Sequence, residues 1–157
     1  MANMRTKTIA VTLGLFLAAG MCYAADPWMG TWRLNEKKSK LSRDSGKNST
    51  VIYASTMMGN VKITVNGTDS EGKPAHNSWT GKFDGKDYPV TGDPNSDTRS
   101  YRKVDDRTLE FTAKKGGKKT MSGRAVLSAD GKHRTVNTSG TNAKGKKFKV
   151  TAVYDKG

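Results

Sequence analysis

Lys147-Phe148-Lys149-Val150-Thr151-Ala152-Val153-Tyr154 decides the fold. Phe148, Val150, Ala152 and Tyr154 alternate with Lys147, Lys149 and Thr151, so an extended chain turns one set to a core and the other to water. A helix would spread both sets around its axis. The same period of two runs through Val61-Lys62-Ile63-Thr64-Val65, through Leu109, Phe111 and Ala113, and through Met121, Gly123, Ala125 and Leu127. No stretch carries apolar residues at helical spacing over three turns.

Between these runs stand Gly59-Asn60, Asn66-Gly67, Glu71-Gly72, Asp84-Gly85, Asp105-Asp106, Gly116-Gly117, Asp130-Gly131 and Lys144-Gly145. Most supply a residue that tolerates the positive φ of tight hairpins. The pattern predicts strands near 28–35, 49–58, 61–66, 74–83, 86–90, 98–104, 108–114, 118–128, 132–140 and 146–155. The expected fold is therefore all-β, an antiparallel up-and-down meander of about 8–10 strands. Closure into a barrel removes both open edges, and a two-sheet sandwich is the alternative. At most one short helix is expected, near Glu36–Leu41.

The N-terminal segment reads as a secretory signal peptide. Arg5 and Lys7 precede an apolar run from Ile9 to Met21, and Cys22-Tyr23-Ala24 offers a cleavage site. That run is shorter than the ~20 residues a membrane-spanning helix needs. Met21 before Cys22 argues against lipidation of the cysteine. Cleavage after Ala24 leaves residues 25–157 as one domain without a thiol, in the periplasm or outside the cell. Losing Arg5 and Lys7 leaves 26 basic residues against 14 acidic ones, a formal charge of +12. Such an excess favours anionic surfaces or polymers.

Trp28-Met29-Gly30-Thr31-Trp32-Arg33-Leu34 resembles the first strand of lipocalins and fatty-acid-binding proteins, the calycin barrels. Gly30 and Trp32 match their Gly-x-Trp opening. The stretch from Gly81 to Tyr101 is similar to segments of small secreted bacterial proteins described as lipocalin-like. The resemblance implies a lipocalin-like barrel in which Trp32 plugs one end and a late-strand arginine, Arg124 or Arg134, packs across its indole. The chain departs from the fatty-acid-binding proteins in two ways. Only about 14 residues separate Leu34 from Ser49, too few for a two-helix lid. Ala152 stands two residues before Tyr154, where their Arg-x-Tyr carboxylate clamp has arginine.

Residues for catalysis are scarce. His76 and His133 lack metal-ligand spacing, and neither a nucleophile elbow nor a phosphate-cradling glycine loop is present. Asp93-Pro94-Asn95-Ser96-Asp97 starts like a calcium loop, but Thr98 and Val104 stand where an EF-hand needs Gly and Glu. The reading is of a non-enzymatic protein with no catalytic residue, no metal and no cofactor. A small apolar or amphiphilic ligand, in one version anionic, is expected inside the barrel against Trp79, Phe83, Tyr88, Tyr101, Phe111 and Tyr154.

Lysines gather in two late turns, Lys114, Lys115, Lys118 and Lys119, then Lys144, Lys146 and Lys147, with Lys149 beyond. In a meander these turns share an end, where they would form a rim for an anionic partner. The alternative function follows: a plugged barrel whose basic loops bind an anionic envelope polymer or a protein partner. Aromatics do not interleave with the lysines, which argues against nucleic acid. A monomer is expected.

Overall fold

The computed structural model describes residues 24–157, so the signal peptide and Cys22 lie outside the described residues except for Ala24. Ten antiparallel strands follow one another: β1 (Gly30–Leu34), β2 (Lys47–Ser55), β3 (Val61–Thr68), β4 (Pro74–Gly81), β5 (Tyr88–Thr91), β6 (Thr98–Asp105), β7 (Thr108–Lys115), β8 (Lys118–Leu127), β9 (His133–Thr141) and β10 (Lys147–Lys156). Each pairs with the next, and β1 pairs with β10 to close the barrel. The seam sets Leu34 opposite Tyr154 and Trp32 opposite Lys156. Sandwich packing is thereby excluded.

Glu36–Leu41 forms no α-helix. Only a 3-10 turn, Glu36–Lys38, is made there, capped by the Asn35 side chain. A second 3-10 turn, Met57–Gly59, ends the predicted 49–58 strand early. Asn66-Gly67 is not a turn but lies within β3. A Cβ on Gly67 would fall 1.8 Å from the Lys47 carbonyl oxygen, so glycine is required for β2 and β3 to approach there.

Successive hairpins alternate between the barrel's two ends. At one end Trp28 and Trp32 are wholly buried. The Trp32 indole donates to the Trp28 carbonyl at 3.0 Å, and the Trp28 indole donates to that of Asp106 at 3.2 Å. Above them Trp79 stacks on Phe83 with ring centroids 6.3 Å apart, and Tyr88 and Tyr101 meet it edge-on at 5.8 and 4.7 Å. These aromatics close this end of the barrel. The other end is a mouth, framed by the β1–β2, β3–β4, β5–β6, β7–β8 and β9–β10 connections. The wall is thinnest at β5, which holds β4 and β6 through two residue pairs each.

Candidate functional site: a lumen with two buried arginines

The alternation that faces Phe148, Val150, Ala152 and Tyr154 inward leaves a cavity of about 250 Å³ in the lumen. Tyr53, Tyr101, Phe111, Phe148 and Tyr154 supply its aromatic lining, and Asn77, Thr120 and Thr138 add polar groups. Its mouth lies among residues 44–46, 93–95 and 142. The volume falls just below the ~300–1,000 Å³ usual for drug-sized ligands, so an occupant must be small.

Arg134 reaches into this cavity from β9 and is only 2% exposed. Its guanidinium carbon lies 4.5 Å from the Tyr154 ring centroid, 4.9 Å from that of Tyr53 and 5.1 Å from that of Trp32. The three ring faces attract the cation. No carboxylate among the described residues forms an ion pair with it, and its Nε has no hydrogen-bond partner. A buried charge normally carries a counter-ion; this one faces open lumen instead.

Arg99 enters from β6, nearer the mouth, and is 5% exposed. Its Nη2 meets Asp93 Oδ2 at 3.0 Å, and the same carboxylate oxygen accepts from the Ser96 hydroxyl. Burial alone would lower the Arg99 pKa, but Tyr101 and Asp93 outweigh it and leave the pKa raised. Its Nε, too, is buried without a partner. Burial also pushes the tyrosine hydroxyls up, that of Tyr53 against the pull of Arg134 and that of Tyr154 to about 12. Both phenols therefore stay neutral and able to donate hydrogen bonds across the physiological range.

The structure sorts the sequence-derived site residues into three places. Tyr101, Phe111 and Tyr154 line the cavity. Trp79, Phe83 and Tyr88 do not; they pack on one another at the closed end, with the Tyr88 hydroxyl on Asp84 at 2.8 Å. Of the two arginines considered for Trp32, Arg134 packs on it. Arg124 falls on the opposite phase of β8 from Ala125 and Leu127, and pairs with Glu110 on the outer surface at 2.8 Å. Lys156 Nζ takes the other approach to the Trp32 ring at 5.1 Å and donates to the Pro27 carbonyl. Gly30 (φ +113°) gives the Lys156 stem room.

The lysine turns open on the mouth end. Lys114 pairs with Asp87 at 2.6 Å, Lys144 with Glu71 at 3.2 Å and Lys146 with Asp44 at 3.5 Å. Lys115, Lys118, Lys119 and Lys147 are exposed. The histidines sit apart, His76 on Asn66 at 2.6 Å and His133 on Asp155 at 2.7 Å. Arg99 was missed from the sequence, although its position two residues before the inward Tyr101 gives it the same phase.

No family model and no curated protein matches the chain. Among solved structures it is similar to a redesigned β-barrel, mFAP1, bound to DFHBI, at 18% identity and a TM-score of 0.43. That match covers 83% of this chain and 95% of the other. The closed antiparallel barrel itself fits the calycin architecture coarsely.

Proposed function

We propose that this is an exported, non-enzymatic binding protein whose lumen holds a small amphiphilic carboxylate. One observation carries the reading: Arg134 is a buried cation without an acidic partner, set against a cavity that Tyr53, Tyr101, Phe111, Phe148 and Tyr154 line in part. The acid group sits against Arg134 and the apolar tail lies along Phe111, Phe148 and Tyr101. A neutral occupant would leave the charge uncompensated, and an occupant much larger than 250 Å³ would not fit. Export is supported by the pattern from Arg5 to Ala24.

Displacement of the anionic fluorophore 8-anilinonaphthalene-1-sulfonate tests the reading. Decanoate is expected to displace it at a concentration about tenfold or more below that of decanol, a gap of about 1.4 kcal/mol. Arg134→Leu is expected to erase that preference. Equal potency of acid and alcohol in the native protein, or no bound fluorophore, overturns it. N-terminal sequencing of the protein from the producing cell tests export, with Ala25 the expected first residue.

A further inference from the structure

A second concavity lies on the outside of the barrel, over β7–β10. Two glycines lie in this wall. A Cβ on Gly123 would sit 2.6 Å from the Phe111 ring, and one on Gly140 would sit 2.9 Å from the Phe148 ring. With no Cβ at either position, the Phe111 and Phe148 rings pack directly against the backbone of the wall. On the outer face of this wall lie two adjoining shallow grooves, of about 500 and 360 Å³.

Register fixes what lines them. One outer row runs Thr112, Ser122, Ser139, Lys149 across the four strands, and the next runs Glu110, Arg124, Asn137, Thr151, with the Glu110 carboxylate neutralised by Arg124 and Arg102. Nearer the mouth, Lys119 stands beside Lys114, and Lys147 beside Thr141. Neighbouring strands lie ~4.8 Å apart, so hydroxyls and ammonium groups lie close together on one face. Lys119, Lys147 and Lys149 are exposed and form no ion pair with an acidic residue among the described residues.

The neighbouring hairpin adds a second observation. Lys114 is directly opposite Lys119, and Lys115 opposite Lys118, across a turn of Gly116 (φ +54°) and Gly117 (φ +76°). Like charges facing each other across a strand pair destabilise it. Lys114 is relieved by Asp87; the other three have no such relief. A linear polyanion laid along the groove would neutralise Lys119 and pass beside Lys115 and Lys118.

We propose that this groove binds an acidic polysaccharide, a uronic-acid polymer whose carboxylates meet Lys119, Lys147 and Lys149 and whose hydroxyls meet Ser122, Ser139 and Thr112. A lipid surface fits poorly, because it cannot follow a concave wall and the Gly-Gly hairpin offers no apolar anchor. Nucleic acid would need ring faces for its bases, and none is exposed among these residues.

The test uses polygalacturonate, measured by calorimetry on the full-length mature protein over a salt series. Binding is expected, with log Kd rising against log salt at a slope of about 2–3. Neutral dextran should not bind. The triple variant Lys119→Ser/Lys147→Ser/Lys149→Ser is expected to lose about tenfold or more in affinity. Lys62→Ser/Lys82→Ser/Lys132→Ser, with the same change in net charge, should stay within about twofold. Equal losses in the two variants overturn the proposal, as does absence of binding at low salt. Stronger retention on vesicles of phosphatidylcholine and phosphatidylglycerol, or on single-stranded DNA, overturns it as well. Fluorophore binding in the lumen should be unchanged in the groove variant, so failure here is separable from failure of the lumen reading.

Discussion

Arg134 and Tyr154 face each other across the β9–β10 pair, with the guanidinium carbon 4.5 Å from the phenol ring centroid. Trp32 and Tyr53 complete an aromatic enclosure around the same cation. The charge is thus held by ring faces, and its Nε is left without a hydrogen-bond partner. Arg134→Ala is expected to lower stability by about 2–4 kcal/mol through the void and the lost ring contacts. Arg134→Leu fills most of the volume without burying a charge and should remain within about 1 kcal/mol of the native protein. Urea midpoints of the two variants check this; matching losses would mean the charge itself holds the enclosure together.

Alkali provides a second handle. Burial raises the folded-state pKa of Tyr154 to about 12, against about 10 in the unfolded chain. Between these values the unfolded chain gives up the proton and the folded one keeps it, so stability is lost as pH rises. About 3 kcal/mol is expected to go from Tyr154 over that window. Tyr53 shifts in the same direction. Denaturation midpoints measured from pH 9 upward should fall steeply beyond about 10, and Tyr154→Phe should flatten the curve. On the acid side, Arg124 and Arg102 hold the Glu110 carboxyl below its usual range. Its contribution is present above about 4.3 and fades as pH falls; salt should erase it, since the group is exposed.

Trp79 ties the closed end to the lumen. Its indole donates to the Arg99 carbonyl at 2.7 Å, twenty residues along the chain. Trp79→Phe keeps most of the ring stack but leaves that buried oxygen without its donor. A loss of about 1–3 kcal/mol is expected in chemical denaturation. Ligand affinity should fall with it, because Arg99 is set in place through that backbone.

Met58 has a left-handed backbone, φ +62°, at the tip of the β2–β3 turn, and its side chain is 89% exposed. Nothing in the packing compensates the strain. Met58→Asn, which tolerates that region, should stabilise the barrel by about 0.5–1 kcal/mol. A rise in melting temperature of a few degrees is the expected reading.

The strands were legible because their inner faces repeat every second residue, as Phe148 to Tyr154 does without interruption. Boundaries slipped where backbone geometry decides: Met57–Gly59 turns within an apparently continuous run, and Asn66-Gly67 looks like a hairpin but serves a close strand approach. The aromatic lining was half legible. Period two places Trp79, Phe83 and Tyr101 inside, yet it gives no depth along the barrel axis, and depth separates cavity wall from plug. The buried arginines were the harder part. Arg134 entered through the resemblance of Trp32 to a calycin opening, as one of two arginines that could pack across its indole. Its place on the lumen follows from the register with Tyr154, which no local pattern encodes.

The β1–β10 seam has a kinetic meaning. Trp32 is covered by Lys156, and the Gly157 amide donates to the Thr31 carbonyl at 2.9 Å, so the two ends of the domain finish each other. A chain that folds from β1 onward has no partner for that outer edge until β10 arrives. Every earlier hairpin is local, whereas this closure spans nearly the whole domain and carries the greatest loop entropy. Zipping of neighbouring strands can run ahead, but the lumen does not exist until the final strand docks. The lumen is therefore completed in one step, when β10 docks on β1.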